Sequence, residues 1–96
     1  MIIEPAARDE LLAAAEWYDD QREGLGGELL EAVDAALRRV ELAPTSFPSD
    51  RFDDRARRAL VSRFPYAVVF VVHEGEIRIV AFAHAKKLPG YWTGRV

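Results

Sequence analysis

Cysteine is absent from this 96-residue chain, so neither a disulfide nor a thiolate zinc site can form. Long apolar runs are absent too. The longest, Tyr66 to Val72, falls far short of the ~20 residues a membrane helix needs. The first residues, Met1-Ile2-Ile3-Glu4-Pro5, lack a basic segment leading into an apolar one, so they do not read as a signal peptide. No repeat, low-complexity tract or linker interrupts the chain. Gly24, Gly26 and Gly27 fall between two predicted helices rather than after a strand, which excludes a phosphate-cradling loop. Ser46 and Ser62 have no surrounding nucleophile motif. His73 and His84 are the two histidines. They fall at opposite ends of a predicted hairpin and cannot share a metal. No metal, cofactor or membrane partner is expected, and the chain reads as one cytoplasmic domain over residues 1–96.

What is present is an ordinary globular composition, half hydrophobic and 30% charged. At this length roughly 60–70% of the unfolded surface can be buried, enough to fold without staples. The net charge of −3 hides a division. Residues 1–50 carry four arginines against twelve acids, a net −8; residues 51–96 carry nine Lys and Arg against four acids, a net +5. An acidic half followed by a basic half fits one surface that attracts an anionic partner. It also fits helices that collect Glu on solvated faces.

Ile2 and Ile3 are candidates for a short first strand. From Pro5, suited to an early helix position, Ala7, Leu11, Ala14, Ala15 and Tyr18 recur at helical spacing. That helix should end near Arg22, where Gly24-Leu25-Gly26-Gly27 punctuates the chain. Leu29, Leu30, Val33, Ala36, Leu37 and Val40 form the stripe of a second helix, which Pro44 stops. So short a connection makes the two helices an antiparallel hairpin.

A polar loop spans 44–56, and then the period changes. Arg57 to Phe64 reads as a strand. Tyr66 to His73, β-branched and aromatic, suits a central strand. Glu74-Gly75 makes a tight turn into a last strand, Glu76 to His84. The fold class is therefore α+β: a helical hairpin on a three- to four-stranded antiparallel sheet in β-α-α-β-β-β order. With a two-residue turn, Ile77, Ile79, Ala81 and Ala83 share a face with Val72, Phe70, Val68 and Tyr66, and this apolar set is expected under the helices. The other face would carry Arg78, Val80, Phe82 and His84 beside Val71, Val69 and Ala67. With only the tail left to cover it, an apolar patch of Val69, Val71, Val80 and Phe82 is expected to be open to a partner.

The residues that could carry chemistry are cationic: Arg57, Arg58 and Arg63 on the first basic strand, then His84, Lys86 and Lys87 after the last. Phe82, Tyr91 and Trp92 lie among them. Cations interleaved with aromatics suit single-stranded nucleic acid, phosphates to the charges and bases to the flat faces. Each has a plainer reading. Arg57 and Arg58 can be edge-strand charges that deter pairing, His84 an ordinary strand end, and Tyr91 and Trp92 an anchor for the tail. Trp17 and Tyr18 are expected to pack helix against sheet.

Four segments in order carry a resemblance: Glu16-Trp17-Tyr18, Gly24-Leu25-Gly26, Arg63-Phe64-Pro65-Tyr66, and Ala83-His84-Ala85-Lys86-Lys87-Leu88-Pro89-Gly90-Tyr91-Trp92. Nearly end to end, the chain resembles the RelE/ParE family of bacterial toxins, often labelled plasmid-stabilisation proteins. The resemblance implies a growth-inhibiting toxin paired with a small antitoxin that wraps its helices and sheet. It further implies one of two targets. The RelE-like branch cleaves mRNA on the ribosome with basic residues and a tyrosine, whereas the ParE-like branch poisons DNA gyrase by binding. The RNA-cleaving branch has arginine where this chain has Ala67, and tyrosine where it has Trp92. Those departures favour the ParE-like branch. A nuclease would have to work with His84, Lys86 and Tyr91, with Arg55 or Arg57 standing in for loop lysines. The residues expected to touch antitoxin or target are Arg57, Arg58, Arg63, Arg78, Val80, Phe82, His84, Lys86, Lys87, Tyr91 and Trp92. An inert or binding-only relic of the fold is the third reading.

Overall fold

Helical periodicity in the first half and alternation in the second produce two long helices and a sheet. In the computed structural model, which describes residues 1–96, the elements are β1 (Ile2–Ile3), α1 (Pro5–Gln21), α2 (Leu25–Leu42), β2 (Arg57–Leu60), β3 (Tyr66–His73) and β4 (Glu76–His84). Single 3₁₀ turns lie at Pro44–Ser46 and Thr93–Arg95. The sheet order is β1-β4-β3-β2. β2, β3 and β4 are antiparallel neighbours, and β1 joins β4 in parallel, so the four-stranded sheet is mixed. No helix is long and apolar enough to cross a membrane.

The helical hairpin turns more tightly than the glycines imply. α2 starts at Leu25, taking Gly26 and Gly27 into its first turn. Gly24 (φ 87°) supplies the left-handed residue between the helices. The side chain of Asp19 then caps the new helix by accepting the Gly26 N–H at 2.7 Å, which satisfies one of the free donors of a helix start. Gly26 is required by space, because a Cβ there would lie 2.3 Å from the Ala15 carbonyl oxygen. From α2, Leu29, Val33, Ala36, Leu37 and Val40 enter the core as expected.

The turn at Glu74-Gly75 has positive φ at both residues, 49° and 79°, the signature of a type I′ hairpin. It sets the expected register, His73 opposite Glu76 and Phe70 opposite Ile79. Beyond that point the register shifts between Val69 and Phe70, and Val69 pairs with Ala81. Val80 is the extra residue of a β-bulge. A bulge reverses the alternation of everything after it, so the expected faces are wrong for the second half of β4. Phe82 packs with Val68, Phe70 and the helices, whereas Ala81 and Ala83 join Val69 and Val80 on the opposite side.

That opposite side is not open. Val69, Val80 and Ala81 are buried under Trp92, itself 1% exposed and the largest fully buried side chain in the protein. The apolar patch expected to await a partner is covered by the chain's own tail. Strand β2 is also shorter than expected. It stops at Leu60, and Val61 to Pro65 form a turn in which Arg63 takes a left-handed φ of 72°. Trp17 departs from expectation too: Tyr18 packs on Phe64 and Tyr66, while Trp17 stands 57% exposed.

Candidate functional site

Charge pairing decides which cations remain available. Arg63 reaches back to the helical hairpin and donates to Glu28 at 2.8 Å, and Arg22 holds the other oxygen of that carboxylate at 3.0 Å. Arg63 first and Arg22 second hold the Glu28 carboxyl below its ordinary pKa. Arg78 is bound to Glu4 through Nε at 2.8 Å and through Nη2. Arg57 donates to the carbonyls of Thr45 and Phe47, pinning the polar loop. Arg55 is closed onto Asp53, which lowers the pKa of that carboxyl.

Arg58 projects from the edge strand toward Asp50, whose carboxylate is fully buried. Oδ1 of Asp50 accepts the Phe52 N–H at 2.7 Å and Oδ2 lies 3.3 Å from Arg58 Nη1. A buried carboxylate is tolerated only with such partners. Asp50 was not visible as a structural residue in a polar loop. The one available sign was the short Asp50-Arg51-Phe52 stretch, of the kind that forms an Asx turn.

The tail is clasped to α1 by a second carboxylate that sequence reasoning missed. Glu10 accepts the Tyr91 hydroxyl at 2.6 Å, Arg95 Nη1 at 2.8 Å and the Phe82 backbone N–H at 3.3 Å. Arg95 also donates to the Val80 carbonyl at 3.0 Å. These side chains close the outer edge of β4 where β1 has ended, a protection that edge strands need. Burial first, and the Glu10 carboxylate second, push the Tyr91 phenol well above its ordinary pKa. The glutamate could not be singled out from sequence, because on a helix rich in acids it reads as one more solvated charge.

His84 ends β4 with its ring edge-on to Tyr66, centroids 5.0 Å apart, and its Nδ1 accepts the Lys86 N–H at 2.9 Å. Lys86 and Lys87 are exposed and make no ion pair, and Lys87 Nζ lies 5.1 Å above the Tyr91 ring. No hydrogen bond between side chains links His84, Lys86 and Tyr91. A phenol donating to a carboxylate, with its ionisation pushed up, is a poor general base. The structure brings His84, Lys87, Tyr91 and Arg58 to one cleft of about 200 Å³, with Arg51 and Phe52 across from the tail. It keeps Arg57, Arg63 and Arg78 in ion pairs or carbonyl contacts elsewhere, Phe82 beneath α1 and Val80 in the covered core, while Trp92 is buried in that core and also lines the cleft.

No protein-family model and no curated protein matches the sequence. Among solved structures, a chain of the chromosomal ParDE TA system from P. aeruginosa superposes with a TM-score of 0.77 at 14% identity, over 90% of this chain and 97% of that one. The two-helix, mixed-sheet architecture is thus that of a RelE/ParE-like fold, as the resemblance of the four sequence segments implied.

Proposed function

We propose that this chain is the toxin of a type II toxin–antitoxin pair and that it acts as ParE-like toxins do, by binding DNA gyrase. The observation that supports the toxin part of this reading is the likeness of fold to a chain of a ParDE system over nearly the full length of both. It agrees with the independent resemblance of four sequence segments. A small antitoxin would be the first partner, and the tail from His84 to Tyr91 the surface offered to the target. Lys86 and Lys87 there provide unpaired charge, and Leu88, 75% exposed, provides apolar area.

The residues argue for binding over RNA cleavage. Ala67, where the RNA-cleaving branch has arginine, is buried, and so is Trp92, where that branch has tyrosine. Tyr91 is engaged with Glu10. Phosphoryl transfer needs positioned charge and a group able to exchange a proton, and these positions supply neither.

The test of the toxin reading is controlled expression of the chain, alone and with any small reading frame found to adjoin its gene. Arrested growth relieved by co-expression of a protein that co-purifies with the chain is the expected result. Normal growth at confirmed expression of folded protein would leave only the fold in common with such toxins.

A further inference from the structure

The cleft between the 51–52 loop and the tail is distinguished by its charges. Arg51, Arg58 and Lys87 line it and no carboxylate does. Of the acids near it, Asp50 is turned inward and fully buried behind Arg58, and Glu10, behind the Tyr91 hydroxyl, is paired with Arg95. Arg51 and Lys87 make no ion pair, whereas seven of the thirteen Lys and Arg do: Arg22, Arg38, Arg55, Arg58, Arg63, Arg78 and Arg95. The walls between the charges are apolar, with Phe52 56% exposed on one side and the Tyr91 ring on the other. The loop and tail also support each other. Gly90, at φ 75°, brings the tail so close that a Cβ there would lie 3.2 Å from Phe52 Cβ.

We propose that this cleft is a binding site for an acidic peptide segment, one in which a carboxylate side chain is flanked by an apolar residue. At about 200 Å³ it is smaller than the roughly 300–1,000 Å³ of small-molecule sites, so its occupant is an anionic group carried on a larger chain. Nucleic acid is the other carrier of such groups, and the surrounding charge disfavours it. A phosphate backbone needs a track of free cations. Here Arg55, Arg63, Arg78 and Arg95 are each neutralised within the chain, and the protein as a whole carries −3. A local cationic pocket with apolar walls accepts one or two carboxylates and an aliphatic side chain. The inference rests on the toxin reading only in taking the partner to be a protein.

The test uses the full chain and a fluorescein-labelled decapeptide of alternating Glu and Leu, with its Gln-for-Glu counterpart and a ten-nucleotide single-stranded oligonucleotide as comparisons, read by anisotropy. Binding of the acidic peptide, at least tenfold tighter than either comparison, is expected. The double variant Arg51→Gln/Lys87→Gln should weaken it tenfold or more, while Arg38→Gln on the far side of α2 leaves it unchanged. The circular dichroism of each variant should match that of the parent, since both cleft substitutions are at exposed positions. Three results each overturn the proposal: no binding of the acidic peptide, binding unchanged in the folded double variant, or preference for the oligonucleotide. Any of these would leave the growth and co-expression results untouched, so the two readings fail separately.

Discussion

The hydroxyl of Tyr91 lies 2.6 Å from Glu10 Oε2, joining the tail to the first helix across 81 positions of sequence. Together with Arg95 on the same carboxylate, this contact holds down the segment that covers the far face of the sheet. Tyr91→Phe should cost about 1–2 kcal/mol of stability, the range for a hydrogen bond to a charged group at a partly exposed site.

The same contact predicts a pH dependence. The folded pKa of Tyr91 is raised, by burial first and by Glu10 second, so folding favours the protonated phenol. The resulting stability is fully present below the ordinary tyrosine value of about 10 and is lost as pH rises toward the folded value. Urea midpoints measured from pH 8 to 11 should therefore fall more steeply for the parent than for Tyr91→Phe. Parallel curves would mean that the phenol is not held this way.

The two tryptophans have opposite environments, Trp92 at 1% and Trp17 at 57% exposure. Trp17→Phe should leave a blue-shifted emission that acrylamide quenches slowly, and Trp92→Phe a red-shifted one quenched readily. Trp92→Ala should cost roughly 3–5 kcal/mol through the cavity beneath the tail. Fast quenching of Trp92 in the folded protein would mean that the tail does not cover the sheet.

Gly26→Ala places a methyl against the Ala15 carbonyl, where 2.3 Å separates the ideal positions. Neither backbone can yield without opening the helical hairpin, so a loss of roughly 1–3 kcal/mol or more is expected in chemical denaturation. Gly27→Ala, where a Cβ meets nothing, should leave the midpoint unchanged or raise it, since alanine is the better helix former. The pair of variants separates close packing from helix propensity.

Element types and their order were legible because the periods of 3.6 and 2 are written in residues such as Leu29, Val33, Val40 and Phe70, Val72. The type I′ register was legible from Glu74-Gly75. The bulge at Val80 was not. No glycine marks it, and it is flanked by contacts from Glu10 to Phe82, 72 positions apart, and from Arg95 to Val80, 15 apart. One unseen residue moved Phe82 to the helix side and Ala81 and Ala83 away from it. The covered second face was missed for a related reason: Trp92 is one aromatic in a short polar tail, and its burial depends on a clasp made from α1. Of the residues that line the cleft, Arg58, His84, Lys87, Tyr91 and Trp92 are ones that the sequence singles out as candidates. It does not single out Arg51, which meets Lys87 only through the folding of the 48–56 loop.

We propose that this chain acts by binding gyrase and not by cutting RNA. The most direct measurement is a gyrase supercoiling assay with the purified chain, run beside primer extension on translating ribosomes. Inhibited supercoiling with intact mRNA is predicted. Codon-positioned mRNA cuts that vanish in His84→Ala or Tyr91→Phe, with supercoiling untouched, would contradict the account.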